Sequence, residues 1–363
     1  MTNDRRMLVL RAVVEDYIRS HEPIGSTALA RRHDLGVSSA TIRNDMAALE
    51  DEGYLTQPHT SAGRIPTEKG YRYFVDRLST VMPMSPAQRS GIAAFLSGSV
   101  SLQDTLRRAA RILSSITGQV AVVASPSLSK ATLRHVELVP VASMALLVVA
   151  ITDTGRVAQH TVGVRRMPTT DTLAALGETV NVRCGSRPLT AAADLMRTLA
   201  HEPRWHGCDA LCEALAGAFD GMADDGVAGE LYVAGASRLA HQGSPDDLAP
   251  LFDALEEQVV IMRLMSELSA EHADAGAGVA IGSETHTPGL MHAAVVAGGY
   301  GRTKKDGGGR TGAVDDASQS PVAFVGSIGP THMDYAATIA AVRAVARYLT
   351  ATVAAGGADT AEG

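Results

Sequence analysis

Residues 36–70 read GVSSATIRNDMAALEDEGYLTQPHTSAGRIPTEKG, and they restrict the fold more than any other stretch of the chain. The spacing predicts a helix over Ser38–Glu52. Ser38 or Ser39 supplies an N-cap hydroxyl to a backbone N–H that otherwise has no partner. Ile42, Met46 and Leu49 recur at i, i+4 and i+7 and make one buried stripe. The opposite face carries Ser39, Arg43, Asn44 and Ala47. Arginine and asparagine are the side chains that bond bidentately to guanine and adenine edges in a major groove. Gly53 ends the helix as its C′ residue. Tyr54–His59 then reads as a strand, Thr60–Gly63 as a tight turn and Arg64–Pro66 as a returning strand, with Arg64 at the tip. A helix followed at once by a small hairpin with an arginine at its tip is the layout of a winged helix.

The same residues in an ordinary globular core would make an amphipathic helix and a hairpin, and the preceding chain decides between the two. Arg5–Ser20 forms a helix with Leu10, Val13, Val14, Tyr17 and Ile18 on one face. Pro23-Ile24-Gly25 makes a turn, and Ser26 caps a short helix over Thr27–His33. Three helices and a hairpin within about 70 residues form a compact DNA-binding module. Charge is the point against it. Residues 1–78 hold eleven basic and eleven acidic side chains, so the whole net charge of −7 lies outside the module. Binding therefore requires the charges to segregate, with Asp51 and Glu52 at the helix end and Arg31, Arg32, Arg43 and Arg64 towards phosphate.

The run HTSAGRIPTEKGYRYFVD (His59–Asp76), joined to SSATIRNDMAALEDEGYL (Ser38–Leu55), resembles the HrcA family of bacterial heat-inducible transcription repressors. IGSE (Ile281–Glu284) and IGPTHMDYAATI (Ile328–Ile339) extend the resemblance to the other end of the chain. It implies an α+β multidomain fold: an N-terminal winged helix-turn-helix (residues 1–80) and a GAF-like α/β domain in two parts (87–167 and 227–353). A helical dimerisation segment (168–226) is inserted between those parts. The resemblance also implies a homodimer on double-stranded DNA, at the inverted repeat called CIRCE. It implies that Ser39, Thr41, Arg43 and Asn44 read the major groove, with Ser38 also in the DNA-binding set, that Arg64 at the wing reaches the minor groove or phosphate, and that Tyr71 and Arg72 touch the backbone. A GroEL-type chaperonin holds the family active until heat-denatured proteins compete for it. No cofactor is implied.

The remaining chain, at 363 residues in all, is long enough for two or three cores, and with one Trp and five Phe these are built from Ala, Val and Leu. Tyr71, Phe74, Val75 and Leu78 predict a helix packed on the module, and the prolines at 83 and 86 mark a linker. Helices follow over 87–96 and 101–117. Strands follow over 119–124, 134–140, 145–152 and 157–164, with Ala145–Ile151 expected to be buried on both faces. Helices return over 169–199 and 206–222. Asp246–Leu268 reads as one helix with Leu251, Leu255, Val259 and Met262 in a stripe, and Tyr335–Val353 as the last. Residues 302–320 read as a flexible loop and 354–363 as a disordered tail.

Other chemistries find little support. Cys184, Cys208 and Cys212 fit neither a disulfide framework nor a zinc template. No nucleophile or metal motif occurs, so no catalytic residue is assigned. Glu284, Thr285, His286, Thr331, His332 and Asp334 are the best candidate pocket groups, with Thr331 placed to cap the last helix. No apolar run reaches 18 residues and no signal segment opens the chain, which predicts a cytoplasmic protein without a membrane partner. Two alternatives stand beside the repressor. One is a metabolite-responsive winged-helix repressor that uses the GAF-like domain as a ligand pocket. The other is a chaperone-interacting protein that reads no sequence.

Overall fold

The computed structural model describes residues 2–59, 62–78, 83–127, 131–225, 230–240, 245–301 and 321–356. The chain mixes helix and sheet and builds three units. The N-terminal unit holds α1 (Thr2–Ser20), α2 (Ser26–Arg32), α3 (Ser39–Asp51), β1 (Leu55–Thr56), β2 (Ile65–Pro66) and α4 (Glu68–Asp76). β1 and β2 pair antiparallel. Val9, Leu10 and Val13 of α1, Leu29 of α2 and Ile42, Met46 and Leu49 of α3 are buried together. The stripe expected on α3 is thus its core face. Ser26 opens α2 rather than capping it, because Gly25 holds the N-cap position without a side-chain bond.

After α4 come α5 (Pro86–Ser97), α6 (Leu102–Thr117) and β3 (Val120–Ala124). β4 (Leu133–Ala142), β5 (Ala145–Thr152) and β6 (Val157–Gly163) follow, then α7 (Thr170–Cys184), α8 (Leu189–Leu199) and α9 (Asp209–Asp225). β4, β5 and β6 form their own antiparallel sheet, separate from that of β3. Their inward residues Val136, Leu146 and Val148 share one core with Leu176 and Val180 of α7, Met196 of α8 and Phe219 of α9. This outer unit therefore starts near residue 131, and a cut at 167/168 separates its sheet from the helices that cover it. β5 is buried on one face only. Leu146, Val148 and Ala150 point inward, while Leu147, Val149 and Ile151 lie half-buried on the open face.

The core unit resumes with β7 (Leu231–Ala234), α10 (Ala236–Ala240), α11 (Pro245–Glu256), α12 (Gln258–Glu271) and β8 (Gly278–Ile281). β9 (Ala293–Tyr300), β10 (Ala323–Pro330) and α13 (Tyr335–Gly356) complete it. Its sheet runs β7-β3-β10-β9-β8, with antiparallel pairs throughout. Residues alternate between its two faces as the strand period of two requires. Ala121, Val123, Ala294 and Val296 meet the face that carries α6 and α13. Val120, Val122, Ala293 and Val295 meet the face that carries α11 and α12. The single helix expected over 246–268 is broken at Glu257 (φ −78, ψ 67). The break turns Ile261, Met265 and Leu268 onto the sheet and leaves Val259 76% exposed. α13 runs on to Gly356, past the expected end at 353, whereas the loop over 302–320 and the tail beyond 356 lie outside the described residues.

Candidate nucleic-acid interface

α3 is placed by its own caps and by the buried Asp45, and the end of α2 by the buried Asp16. The Ser38 hydroxyl accepts the Thr41 N–H at 3.2 Å and lies 3.0 Å from the Thr41 hydroxyl. At the other end Gly53 takes φ +77, and the Tyr54 N–H returns to the Leu49 carbonyl at 2.8 Å. The positive φ explains the glycine, since a side chain there is strained. Asp45 is 3% exposed and accepts two bonds from Arg5 of α1, at 2.8 and 3.0 Å. Asp16 of α1 is fully buried and faces Arg32 at 3.3 Å and His33 at 3.1 Å. A buried carboxylate needs such partners, because an uncompensated charge in the interior is strongly destabilising.

With the core face of α3 closed by these contacts, its outer face is left to solvent. Arg43 and Asn44 are exposed, Ser39 and Thr41 half-buried. Among the described residues, neither Arg43 nor Asn44 makes a side-chain hydrogen bond or ion pair. Arg31 and Arg32 of α2 are exposed on the preceding helix. Three nearby acids are engaged inside the unit, Asp45 by Arg5, Glu52 by Arg6 at 3.1 Å and Glu50 by Arg64 at 2.8 Å, while Asp51 is exposed at the far end of α3. The unit is neutral by count, yet among its described residues the guanidinium groups of Arg31 on α2 and Arg43 on the outer face of α3 are exposed without an ion pair.

The hairpin departs from the expected layout at Arg64. Its backbone pairs with Ile24 in both directions at 2.9 Å, and its guanidinium lies against Glu50 with 18% of the side chain exposed. Gly63 permits this approach, because a Cβ there would fall 2.5 Å from the Ile24 carbonyl carbon. In this arrangement Arg64 belongs to the body of the unit rather than to a free tip. Thr60 and Ser61 of the expected turn lie outside the described residues.

Tyr71 and Arg72 face the core unit, not the outer face of α3. Tyr71 is 3% exposed and its ring centroid lies 6.0 Å from that of Tyr335 on α13. Burial drives the pKa of the Tyr71 phenol well above its ordinary value, with the neighbouring Tyr17 and Tyr335 adding to the effect. Arg72 donates to the Glu284 carboxylate at 2.8 and 2.5 Å, to the Val279 carbonyl at 2.7 Å and to Asp76 at 3.2 Å. Burial would lower the pKa of the guanidinium, but the bonds to Glu284 and Asp76 outweigh it and leave it raised. Glu68 accepts the Ser283 hydroxyl at 2.7 Å and sits directly over Gly282, whose φ is +52. A Cβ at Gly282 would occupy the place of the Glu68 carboxylate.

The IGSE block and the helix after the hairpin therefore meet, although some 210 residues of chain separate them. This interface was missed from the sequence, although IGSE had stood out. Of the remaining candidate pocket groups, His332 and Asp334 line one cavity, and Thr285, His286 and Thr331 lie outside its lining. Asp334, not Thr331, caps α13 by accepting the Ala337 N–H at 3.0 Å. Thr285 bonds back to the Gly282 carbonyl at 2.8 Å, and His332 meets His21 edge to face with centroids 4.5 Å apart. Among the described residues no group of three or more His, Cys, Asp or Glu could hold a metal, and no helix is long and apolar enough to cross a membrane.

Comparisons with known proteins point one way. Residues 103–339 match the family model of the HrcA protein C-terminal domain. The chain is 66% identical, over 98% of both chains, to a heat-inducible transcription repressor HrcA of Bifidobacterium adolescentis. It is 47% identical, over 98% of this chain and all of the other, to one of Kineococcus radiotolerans. A crystal structure described only as a hypothetical protein has the same fold, with a TM-score of 0.63 at 23% identity over 97% of this chain and 99% of that one.

Proposed function

Because the chain belongs to the HrcA family of heat-inducible transcription repressors, we propose that it represses class I heat-shock genes by binding, as a dimer, the inverted repeat CIRCE. The N-terminal unit acts as the winged helix of this reading and the core unit as its GAF-like domain. α3 is the recognition helix. The observation that carries the reading is the unpaired Arg43 beside Asn44 on the outer face of a helix whose other side is locked by Asp45 and the Ile42–Met46–Leu49 stripe. Arg43 and Asn44 read base edges in the major groove, and Ser39 and Thr41 meet the backbone or bases at the start of the helix. Ser38 sets the helix entry. Arg64 adds a contact only if it leaves Glu50, while Tyr71 and Arg72 orient the reading unit against the core.

Two copies related by a two-fold axis present two recognition helices to an inverted repeat. The outer unit, β4–β6 with α7–α9, is the natural place for the dimer contact, since its open sheet face keeps Leu147, Val149 and Ile151 half-exposed. A GroEL-type chaperonin maintains the active fraction. The test is anisotropy of a labelled inverted-repeat duplex against a scrambled one, over a salt series, with and without chaperonin. The reading requires specific binding that strengthens as salt falls, by about 0.9 in log–log slope per phosphate contact, and that chaperonin improves. Equal weak binding to both duplexes would refute it.

A further inference from the structure

The core sheet ends on two edges, β8 and β7. The β8 edge is covered by the N-terminal unit, where Arg72 of α4 donates to the Val279 carbonyl at 2.7 Å. The outer sheet closes its β4 edge in a similar way. There the Asn181 side chain takes both the N–H and the carbonyl of Val136, at 2.7 and 3.0 Å. β7 has no such cover among the described residues. The Ser125 N–H donates to the Glu230 carbonyl at 2.8 Å, and the ladder continues through Val123–Tyr232 and Ala121–Ala234. Bonded and non-bonded pairs alternate along an antiparallel ladder. Tyr232 and Ala234 therefore turn their backbone polar groups to β3, and Leu231 and Val233 turn theirs outward. Among the described residues, none of these outward groups has a hydrogen-bond partner. Natural edges are blunted by a charge, a proline or a bulge. β7 reads Leu-Tyr-Val-Ala in unbroken register and has none of these, with Val233 45% exposed.

A basic row runs beside this edge. Arg107 of α6 lies over the Tyr232 ring, 5.7 Å from its centroid. Arg111 stands one turn further along the same face of α6. Arg238, on α10 just after the strand, donates to the Ser114 carbonyl of α6 at 3.3 Å. From 107 to 114 the helix rises about 10 Å, and from 232 to 235 the strand advances about 10 Å, so the three guanidinium groups track the strand. All three are exposed, and among the described residues none has an acid partner. Asp104 of α6 is held by Arg108 at 2.9 Å, and Glu230 accepts the Tyr232 hydroxyl at 2.5 Å.

We propose that β7 accepts an extended acidic segment of a partner protein as a sixth strand of the core sheet. The backbone of the segment pairs with Leu231 and Val233. Its side chains alternate between the faces. Acidic ones meet Arg107, Arg111 and Arg238 on the α6 face, where Tyr232 and Ala234 pack, and apolar ones meet Leu231 and Val233 on the other. Two such edges from two copies of the chain would bring like arginine rows together, so charge favours an acidic partner over a second copy. A nucleic-acid backbone would match the arginines but leave the outward N–H and C=O groups unused. The inference does not depend on the repressor reading.

The probe is a fluorescein-labelled hexapeptide of alternating glutamate and valine, titrated into the full chain by anisotropy. Saturable binding with one peptide per chain is expected. Arg111→Glu should weaken it at least fivefold. Arg166→Glu, at an exposed arginine beyond β6, should leave it unchanged. Two further peptides are N-methylated on one or the other alternate set of amides. Only one edge of an added strand pairs with β7, so one of them should lose at least tenfold and the other should bind as the parent peptide does. Val233→Pro removes an outward donor while leaving the β3 pairs intact, and should weaken binding at least fivefold without changing the sedimentation of the protein. Absence of saturable binding, or equal affinity in Arg111→Glu, would overturn the proposal. Equal affinity of all three peptides would also overturn it, since the row would then be a charged surface open to any polyanion. A fall in oligomeric state in Val233→Pro would show that a second copy already holds this edge, and would overturn it too.

Discussion

Arg72 and Glu284 provide the sharpest test of how the reading unit is held. The guanidinium makes two bonds to one carboxylate, at 2.8 and 2.5 Å, and the side chains are 29% and 39% exposed. Bidentate charge-assisted pairs are about twice as strong as neutral hydrogen bonds, whereas fully exposed ion pairs contribute ~0.2–1 kcal/mol. Partial exposure screens this pair, so a coupling of ~1 kcal/mol is expected from a double-mutant cycle of Arg72→Ala, Glu284→Ala and the double variant. Urea unfolding at fixed protein concentration measures it. The exposed Arg263–Glu267 pair on α12, with side chains 79% and 59% exposed, serves as the control and should show a smaller coupling, of about 0.3–0.5 kcal/mol. A second readout separates positioning from DNA contact. If Arg72 touched phosphate, Arg72→Ala would flatten the salt dependence of operator binding by about 0.9 in log–log slope. The geometry predicts an unchanged slope with weaker binding overall. A coupling below ~0.3 kcal/mol, or a flattened slope, would refute the reasoning.

Two further outcomes follow from local geometry. Gly63→Ala should destabilise the N-terminal unit by ~1–3 kcal/mol, because its Cβ would fall 2.5 Å from the Ile24 backbone; thermal unfolding that matches the parent chain would contradict this. Thiol labelling of the native protein at pH 8 should modify the half-buried Cys208 first. Cys212 should resist until the protein unfolds, because it is fully buried and burial, with the charges of nearby groups, pushes its thiol up to about 11.

What the sequence disclosed, it disclosed through period and punctuation. The i, i+4, i+7 spacing of Ile42, Met46 and Leu49 located the core face of α3, and so also the face left to solvent. Ser38 and Gly53 marked its ends by needs that few other residues meet. Roles set by contacts far along the chain were not legible. Tyr71 and Arg72 lie beside the reading module in sequence, but their surroundings come from Tyr335 and Glu284. The buried pairs of Asp16 and Asp45 carry no local signature, since an acid in a helix reads as a solvated face. β-Branched runs separated by turns identified β4, β5 and β6 as strands without saying which sheet they join. The apolar run of β5 hid a half-open face. At Glu257 the helical pattern runs on across the break, because the two helices keep apolar spacing while turning different faces inward.

The central claim is that α3 reads bases through Arg43. The measurement that tests it most directly compares the parent chain with Arg43→Ala on the inverted-repeat duplex and on a scrambled duplex at one salt concentration. Arg43 makes no side-chain hydrogen bond or ion pair within the described residues, so the fold should be untouched and thermal unfolding should coincide. The account predicts a loss of ~1–3 kcal/mol on the repeat, with relaxed preference at one position of each half-site and little change on the scrambled duplex. An Arg43→Ala protein that binds both duplexes as the parent does would contradict it.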